Sequence, residues 1–208
     1  MKLKRLFSTN CLHLYAFSLF QDIPFVQPKL EVQIYQSGNI SESPCFNLFE
    51  IVNEFICQSR FSRGEIVWMA VHQSRIVAYC WVSFTETEVG EIDRVIKVKN
   101  KELYTYDAFT LPDYRGKNLY PYILTYICQY GKEKGYTRAL IFVLRENTPS
   151  KQGIEKAGFK RFQVIKYSRM FGLSFYRYSP IEGGQEGVIF VPKKWTQISA
   201  DILVRSKQ

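Results

Sequence analysis

One segment limits the fold of this chain more than any other. ELYTYDAFT (residues 102–110) is rich in β-formers, and TLPDYRGKNLYPYILTYICQYGKEKGY (110–136) turns and then becomes amphipathic with helical spacing. ALIFVL (139–144) is an apolar run without polar interruption, as a strand buried on both faces requires. In the middle piece Leu119, Ile123, Ile127 and Tyr130 form one stripe, Lys132 and Lys134 fall in the last turn, and Gly135 suits the position just past the helix. A strand, a helix and a strand in this order imply a parallel pair inside an otherwise antiparallel sheet.

The rest of the sequence supplies that sheet. LHLYAFSL (12–19) and LEVQIYQ (30–36) alternate loosely around Pro24 and Pro28 and read as strands. SPCFNLFEIVNEFICQ (43–58) places Phe46, Phe49, Ile51, Val52, Phe55 and Ile56 near a 3.6-residue period, with Ser43 and Pro44 at its start, and predicts one amphipathic helix. EIVWMAVHQSRIVAYCWVSF (65–84) is two β-rich runs around a short polar insert, a hairpin pattern. A further helix is expected over Thr148–Ala157, with Pro149 near its first position and Gly158 beyond its end. FKRFQVIKYSRMFG (159–172) returns to strand, and after Leu173 only short β-like pieces are visible, GVIFVP being the clearest. The predicted order is β, β, α, β, β, β, α, β, α, β, without an internal repeat.

At 208 residues, 46% hydrophobic and 16% aromatic, the chain can bury one sizeable core, and a single domain over 1–208 is expected. It has no apolar run of about 18 residues, so no membrane partner is expected. A net charge of +9 asks for an acidic partner: nucleic acid, anionic lipid or a phosphorylated small molecule. The cations are dispersed, which favours a solvated basic surface over a dedicated polyanion groove. Five cysteines (Cys11, Cys45, Cys57, Cys80, Cys128) with no CxxC pair argue against a disulfide framework and against a zinc site; no metal is expected, and a reducing cytoplasmic setting fits. Ser8, Thr9, Asn10 and His13 interrupt any signal-peptide core near the start.

The turn that opens the central helix raises a chemical question, because Arg115, Gly116 and Lys117 meet there. A helix N-terminus exposes unsatisfied N–H groups and roughly half a unit of positive charge, which suits a phosphate or pyrophosphate. Arg115 and Lys117 would add attraction, and Gly116 clears side-chain bulk where a ligand must come close. A solvent-exposed turn leading into an amphipathic helix would use the same residues, and the turn by itself leaves both readings open.

Taken with its surroundings, the turn is more specific. FTLPDYRGKNLYPYIL after a strand, followed by a buried strand and RENTPSKQGIEKAGF, resembles the GNAT acyltransferase superfamily, with its Arg/Gln-x-x-Gly-x-Gly/Ala phosphate loop and later Asn-centred segment. Arg115, Gly116 and Lys117 match the frequent RGK form of that loop, whereas Asn118 and Tyr120 stand where glycine or a small residue is usual. Asn reaches positive φ more readily than most residues and is a tolerable substitute. The resemblance covers residues 65–160, flanked by N-terminal strands in 1–40 and C-terminal strands in 160–208. It implies an α+β fold: a twisted, mixed, mostly antiparallel sheet flanked by helices, with an extra N-terminal strand.

It also implies a function: acyl transfer from acetyl-CoA to the amine of a small acceptor. Backbone groups of residues 115–120, including Leu119 and Tyr120, would hold the pyrophosphate. Phe109, Thr110 and Leu111 would pair with the pantetheine arm, the N–H near Thr110 or Leu111 facing the developing oxyanion. Asn147 and Ser150 would touch the cofactor from the later segment.

Amine attack needs a proton acceptor and the thiolate must leave. Asp107 is the best-placed carboxylate for the first task, with an ordinary ion-paired acid as the alternative. The family's usual tyrosine acid falls at Ile154, and Tyr106, Tyr120 or Tyr122 would have to replace it or the thiolate would leave unaided, its thiol pKa being about 8.5.

The RGKNLYPYIL form is similar to members tied to bacterial surface-polysaccharide genes, which suggests a phosphorylated or nucleotide-linked amino sugar as acceptor. A homodimer is compatible with the sequence, and nucleic acid is not the favoured partner. The alternative is a non-catalytic module of the same fold that senses CoA or binds nucleic acid through its basic surface. His13 and His72 have no neighbours at metal spacing, and Cys80 and Cys128 read as buried small hydrophobes. The aromatics interleaved with a cation in FYRYSP (175–180) read as packing rather than base-stacking residues.

Overall fold

The computed structural model describes residues 7–39 and 48–193. Its strands are β1 (Phe7–Ser18), β2 (Gln33–Ser37), β3 (Ile66–His72), β4 (Arg75–Ser83), β5 (Glu86–Val89), β6 (Arg94–Lys97), β7 (Glu102–Thr110), β8 (Arg138–Leu144), β9 (Lys160–Met170), β10 (Leu173–Tyr178) and β11 (Ile189–Pro192). The helices are α1 (Leu48–Ile51), α2 (Glu54–Ser62), α3 (Leu119–Glu133) and α4 (Thr148–Lys156). Eight strands form one sheet in the order β10-β9-β1-β8-β7-β4-β3-β2, and β11-β6-β5 form a second. Every pairing is antiparallel except β7 with β8, the parallel pair that the strand–helix–strand segment requires.

The large sheet is covered on both faces. α3 and α4 pack on one face over Tyr15, Phe17, Trp68, Ala78, Cys80, Ala139 and Ile141. On the other, α1 and α2 cover Val67, Met69, Tyr79 and Trp81, while the small sheet lies over Leu12, Leu14, Leu140 and Ile165. Alternation produces this division: Trp68 and Ala70 point one way along β3, Val67 and Met69 the other. Glu102 and Arg138, paired in register where β7 and β8 begin, form a buried 2.6 Å ion pair that fixes the parallel alignment.

Two sequence expectations change. The single helix expected over 43–58 is two: the part carrying Ser43, Pro44 and Phe46 lies outside the described residues, and α2 starts afresh at Asn53. The Asn53 side chain accepts from Phe55 N–H at 2.9 Å, so a capping residue inside the apolar pattern breaks it. Phe49 and Phe55 consequently remain exposed rather than in the core. The β5–β6 hairpin was not anticipated; its strands have four residues each, and their polar composition hides the alternation. The hairpin at 65–84 forms as expected, with Gln73 and Ser74 both at positive φ, as a two-residue type I′ turn demands.

Candidate functional site

The site begins where the parallel pair ends. Pairing of β7 with β8 runs from Glu102↔Arg138 to Thr105↔Ile141, although β7 continues to Thr110 and β8 to Leu144. Beyond Thr105, β7 stays with β4, through Phe109↔Tyr79 and Thr110↔Ala78, so the two parallel strands part like the arms of a V. The cause is a bulge: the register with β4 shifts between Tyr79 and Trp81, opposite Asp107, whose φ is +44°. Leu111 N–H donates to Val77 C=O at 2.9 Å, which shows which backbone groups face β4. By alternation, those of Thr110 face the gap. The N–H of Leu111, expected to serve the cofactor, is therefore already spent on the sheet, and the Phe109 ring packs on Tyr79 at 5.9 Å.

At the open end of the V lies the basic turn. Gly116 (φ +73°) and Asn118 (φ +60°) are left-handed with Lys117 between them in ordinary conformation, an alternation that turns successive N–H groups into one concavity. The first intrahelical bond at this end of α3 is Tyr122 N–H to Asn118 C=O at 3.2 Å, so the N–H groups of Gly116 to Tyr120 precede the hydrogen-bond ladder of the helix. Arg115 Nε donates to Thr110 C=O at 3.2 Å and ties turn to strand.

The turn is also braced from behind. Asn118 Nδ2 donates to Gln27 C=O at 3.1 Å, Lys156 Nζ donates to Asn118 Oδ1 at 3.0 Å, and Lys29 N–H donates to Lys117 C=O at 2.9 Å. An open cleft of about 700 Å³ is lined by Asn118 and Gln27–Val32.

Tyr120 fits because Gly153 faces it. A Cβ at 153 would come within 2.9 Å of Tyr120 Cδ1, so the bulky residue on α3 is matched by the missing one on α4. Asn147 caps α4, accepting from Ser150 N–H at 3.2 Å. Ile154, at the position where the resemblance would put an acid, is fully buried in the core.

Asp107 does not stand free. Its Oδ2 accepts from Arg60 Nη1 at 2.6 Å, and the Arg60 guanidinium lies over the neighbouring Trp81 and Tyr106 rings, 4.9 and 5.0 Å from their centroids. Tyr106 in turn donates to Glu65, a carboxylate only 1% exposed that also accepts from Arg63 Nε at 3.0 Å. Burial pushes the Glu65 carboxyl above its ordinary value against the pull of Tyr106 and Arg63. Arg60 and Glu65 carry no sequence signal, since a charged residue on a short helix and another before a strand look like surface.

The tyrosines weighed as acids are all poorer acids than a free phenol. Burial raises Tyr106 and Tyr120, and a hydrogen bond with Tyr126 pushes Tyr122 to about 12. Cys80 and Cys128 are buried with their thiols raised by burial, in keeping with small hydrophobes. His72 Nδ1 sits 2.7 Å from Glu31 C=O.

The sequence model of the Acetyltransferase (GNAT) family matches residues 35–159, more than half the chain, and the protein belongs to that family. Solved structures share its fold. One is a GNAT-family acetyltransferase from Novosphingobium aromaticivorans (TM-score 0.51, 13% identity, covering 77% of this chain and 63% of that one). Another is a GCN5-related N-acetyltransferase from Sphaerobacter thermophilus (TM-score 0.54, 12% identity, 80% and 53%). A third is the GCN5-related glucosamine N-acetyltransferase region of a fungal multi-domain GH3 β-N-acetylglucosaminidase (TM-score 0.51, 15% identity, 83% and 22%). The chain thus spans less than two thirds of the length of each of these three. No curated protein matches it.

Proposed function

We propose that the protein is an acyl-CoA-dependent N-acyltransferase that moves an acetyl group from acetyl-CoA to the amine of a small acceptor. The observation that carries this reading is the parting of β7 from β8 after Thr105 with the Gly116–Tyr120 N–H groups gathered at the open end. A gap lined by unpaired backbone suits an extended amide-bearing arm, and a concavity of N–H groups suits a pyrophosphate. These are the two chemically distinct parts of CoA, which when bound supplies the activated acyl thioester.

On this reading the N–H groups of Gly116, Lys117, Asn118, Leu119 and Tyr120 take the pyrophosphate, with Arg115 and Lys117 adding charge. The N–H of Thr110, whose C=O is held by Arg115, and the backbone of Ala108 two residues upstream on the same side of the strand face the arm. Asn147 and Ser150 shape the far wall. Asp107 accepts the proton of the attacking amine, its carboxylate held by Arg60. With the buried Ile154 at the usual acid position, the thiolate, a good leaving group at a thiol pKa of about 8.5, leaves without an acid from that position.

For the acceptor, a phosphorylated or nucleotide-linked amino sugar is supported by the +9 charge and by an aromatic row on the face opposite α3. Tyr106 stacks on Tyr104 (5.7 Å), which meets Phe142 (4.7 Å), which meets Phe190 (5.7 Å); Tyr104 is buried in the core, and the half-buried edges of Tyr106, Phe142 and Phe190 are what the row offers to the apolar face of a pyranose.

Isothermal titration with acetyl-CoA, run on the wild type beside the Arg115→Ala, Gly116→Glu double variant, tests the cradle. Micromolar binding in the wild type, lost in the variant, is expected. No heat and no thermal shift with any acyl-CoA would overturn the reading, and binding without turnover of any amine would leave a CoA-sensing module.

A further inference from the structure

The end of the sheet farthest from β2 has no role in the site above. Phe171 (φ +51°) and Gly172 (φ +84°) form the tight turn joining β9 to β10, and Phe171 meets Phe7 edge to face at 5.0 Å. The pairings Phe7↔Met170↔Leu173 place those three side chains in one row on the face that bears α4. The next row on this face is Thr9, Ser168, Phe175, and the one after it is Cys11, Lys166, Arg177.

The apolar members stand in solvent: Phe7 is 53% exposed, Met170 44%, Phe171 68%, Leu173 65% and Phe175 51%. Isolated exposed apolar residues are ordinary, but five gathered at the β9–β10 hairpin end and the adjoining start of β1 mark a contact surface. Charge narrows what the contact is. Residues 160–178 contain Lys160, Arg161, Lys166, Arg169 and Arg177 and no Asp or Glu. On the opposite face Asp93 lies 3.8 Å from Arg169.

We propose that this hairpin is a peripheral contact for an anionic phospholipid surface, its tip entering the interface and its basic row meeting the head groups. The order of the rows fits that partner. The apolar row is at the tip, and the Lys166–Arg177 row lies four residues back, about 14 Å along the strands, where flexible cationic side chains reach the phosphates of a lipid layer.

A second copy of this chain fits less well, because apposed hairpins would bring two Lys166–Arg177 rows together and residues 160–178 supply no acid to offset them, Glu146 being already in the groove beside Lys166. Nucleic acid fits less well because Met170 and Leu173, in the leading row, have no π-face to stack on bases. The expectation of no membrane partner rested on spanning alone; no described helix is long and apolar enough to cross a bilayer, and an interfacial contact needs none.

Co-sedimentation of the full chain with vesicles of 30% phosphatidylglycerol in phosphatidylcholine tests the proposal, alongside pure phosphatidylcholine vesicles. The tip variant is Phe171→Asn with Leu173→Ser; Asn-Gly is the preferred pair for this turn, so the hairpin persists. The charge variant is Lys166→Glu with Arg177→Glu. Expected are binding to the anionic vesicles only, a loss of at least about tenfold in each variant, and weakening with salt. Absence of binding to anionic vesicles, equal binding to neutral ones, or indifference to the tip variant would overturn it. So would a concentration-dependent dimer, or an oligonucleotide complex, abolished by the tip variant without vesicle binding. None of these readouts depends on acyl transfer.

Discussion

Gly153 on α4 and Tyr120 on α3 are complementary: a Cβ at 153 would approach Tyr120 Cδ1 to 2.9 Å and Pro121 Cδ to 3.5 Å. The two helices that flank the candidate cofactor site therefore owe their spacing to one large and one absent side chain. Neither half of this pair is interpretable alone. Tyr120 by itself looks like a defect in a phosphate loop, and Gly153 by itself looks like a weak point in a helix.

Gly153→Ala has opposing effects: a helix gains up to about 1 kcal/mol from alanine, while forcing a methyl into a filled space costs about 1–3 kcal/mol. The steric cost wins at this distance, and a net loss of about 1–2 kcal/mol is expected in urea denaturation. In a Tyr120→Ala background the same change should stabilise by up to about 1 kcal/mol. A double-mutant cycle with a coupling energy near zero would show that the ring does not fill the space opposite Gly153.

Asp107 holds a left-handed conformation and an ion pair at once, and substitutions separate the two. Asp107→Asn tolerates the φ of +44° but removes the counter-charge of a guanidinium whose residue is only 8% exposed. The carboxylate itself is 39% exposed, so a modest loss of about 1–2 kcal/mol is expected, with about 1 kcal/mol more for Asp107→Ala. Amine acetylation should fall at least about 100-fold in both, the usual scale for loss of a positioned base. Unchanged kcat/KM in Asp107→Asn would reduce this carboxylate to a partner of Arg60.

What the sequence disclosed and what it hid follow from the range of the interactions involved. β7, α3, α4 and the parallel crossover were legible because their causes are local: alternation in ELYTYDAFT, a helical stripe from Leu119 to Tyr130, an unbroken ALIFVL, and Gly135 at φ +77° closing the helix. Asn118 at φ +60° likewise behaves as its side-chain type allows. The break at Asn53 was hidden because a capping side chain competes with an apolar pattern only once neighbouring elements are in place. Arg60 and Glu65 were hidden because burial of a charge depends on partners distant along the chain, here Asp107 and Tyr106. The engagement of Leu111 N–H by Val77 has no sequence signature at all, since every residue but proline carries the same donor.

His13 offers a test by pH. Among the described residues its buried Nδ1 has no hydrogen-bond partner, and burial, then the charges of Arg161, Lys151 and Arg145, hold its pKa below the ordinary 6.5. The opposing charge is Glu155. A lowered pKa means that between the native value and 6.5 the unfolded chain binds the proton more readily than the folded one. Stability from this group is therefore complete above pH 6.5 and is lost progressively as pH falls below it. Thermal melts of wild type and His13→Phe at pH 7.5 and 5.5 should show a larger fall for the wild type. Equal falls would mean that His13 titrates alike in both states.

Asn118 joins conformation to bracing, and two substitutions at this position give different losses. Its side chain donates to Gln27 C=O at 3.1 Å and accepts from Lys156 at 3.0 Å, while its backbone sits at φ +60°. Asn118→Gly keeps the backbone accessible and loses both side-chain bonds, a cost of about 1 kcal/mol because the groups are partly solvated. Asn118→Ala loses the same bonds and adds about 1 kcal/mol of left-handed strain. If the concavity of N–H groups from Gly116 to Tyr120 binds pyrophosphate, the glycine variant should hold acetyl-CoA nearly as well as wild type, because the donors belong to the backbone. The alanine variant should bind more weakly, because relief of its strain turns those donors away. Titration calorimetry on the two variants decides: equal weakening in both would assign the contact to the Asn118 side chain instead.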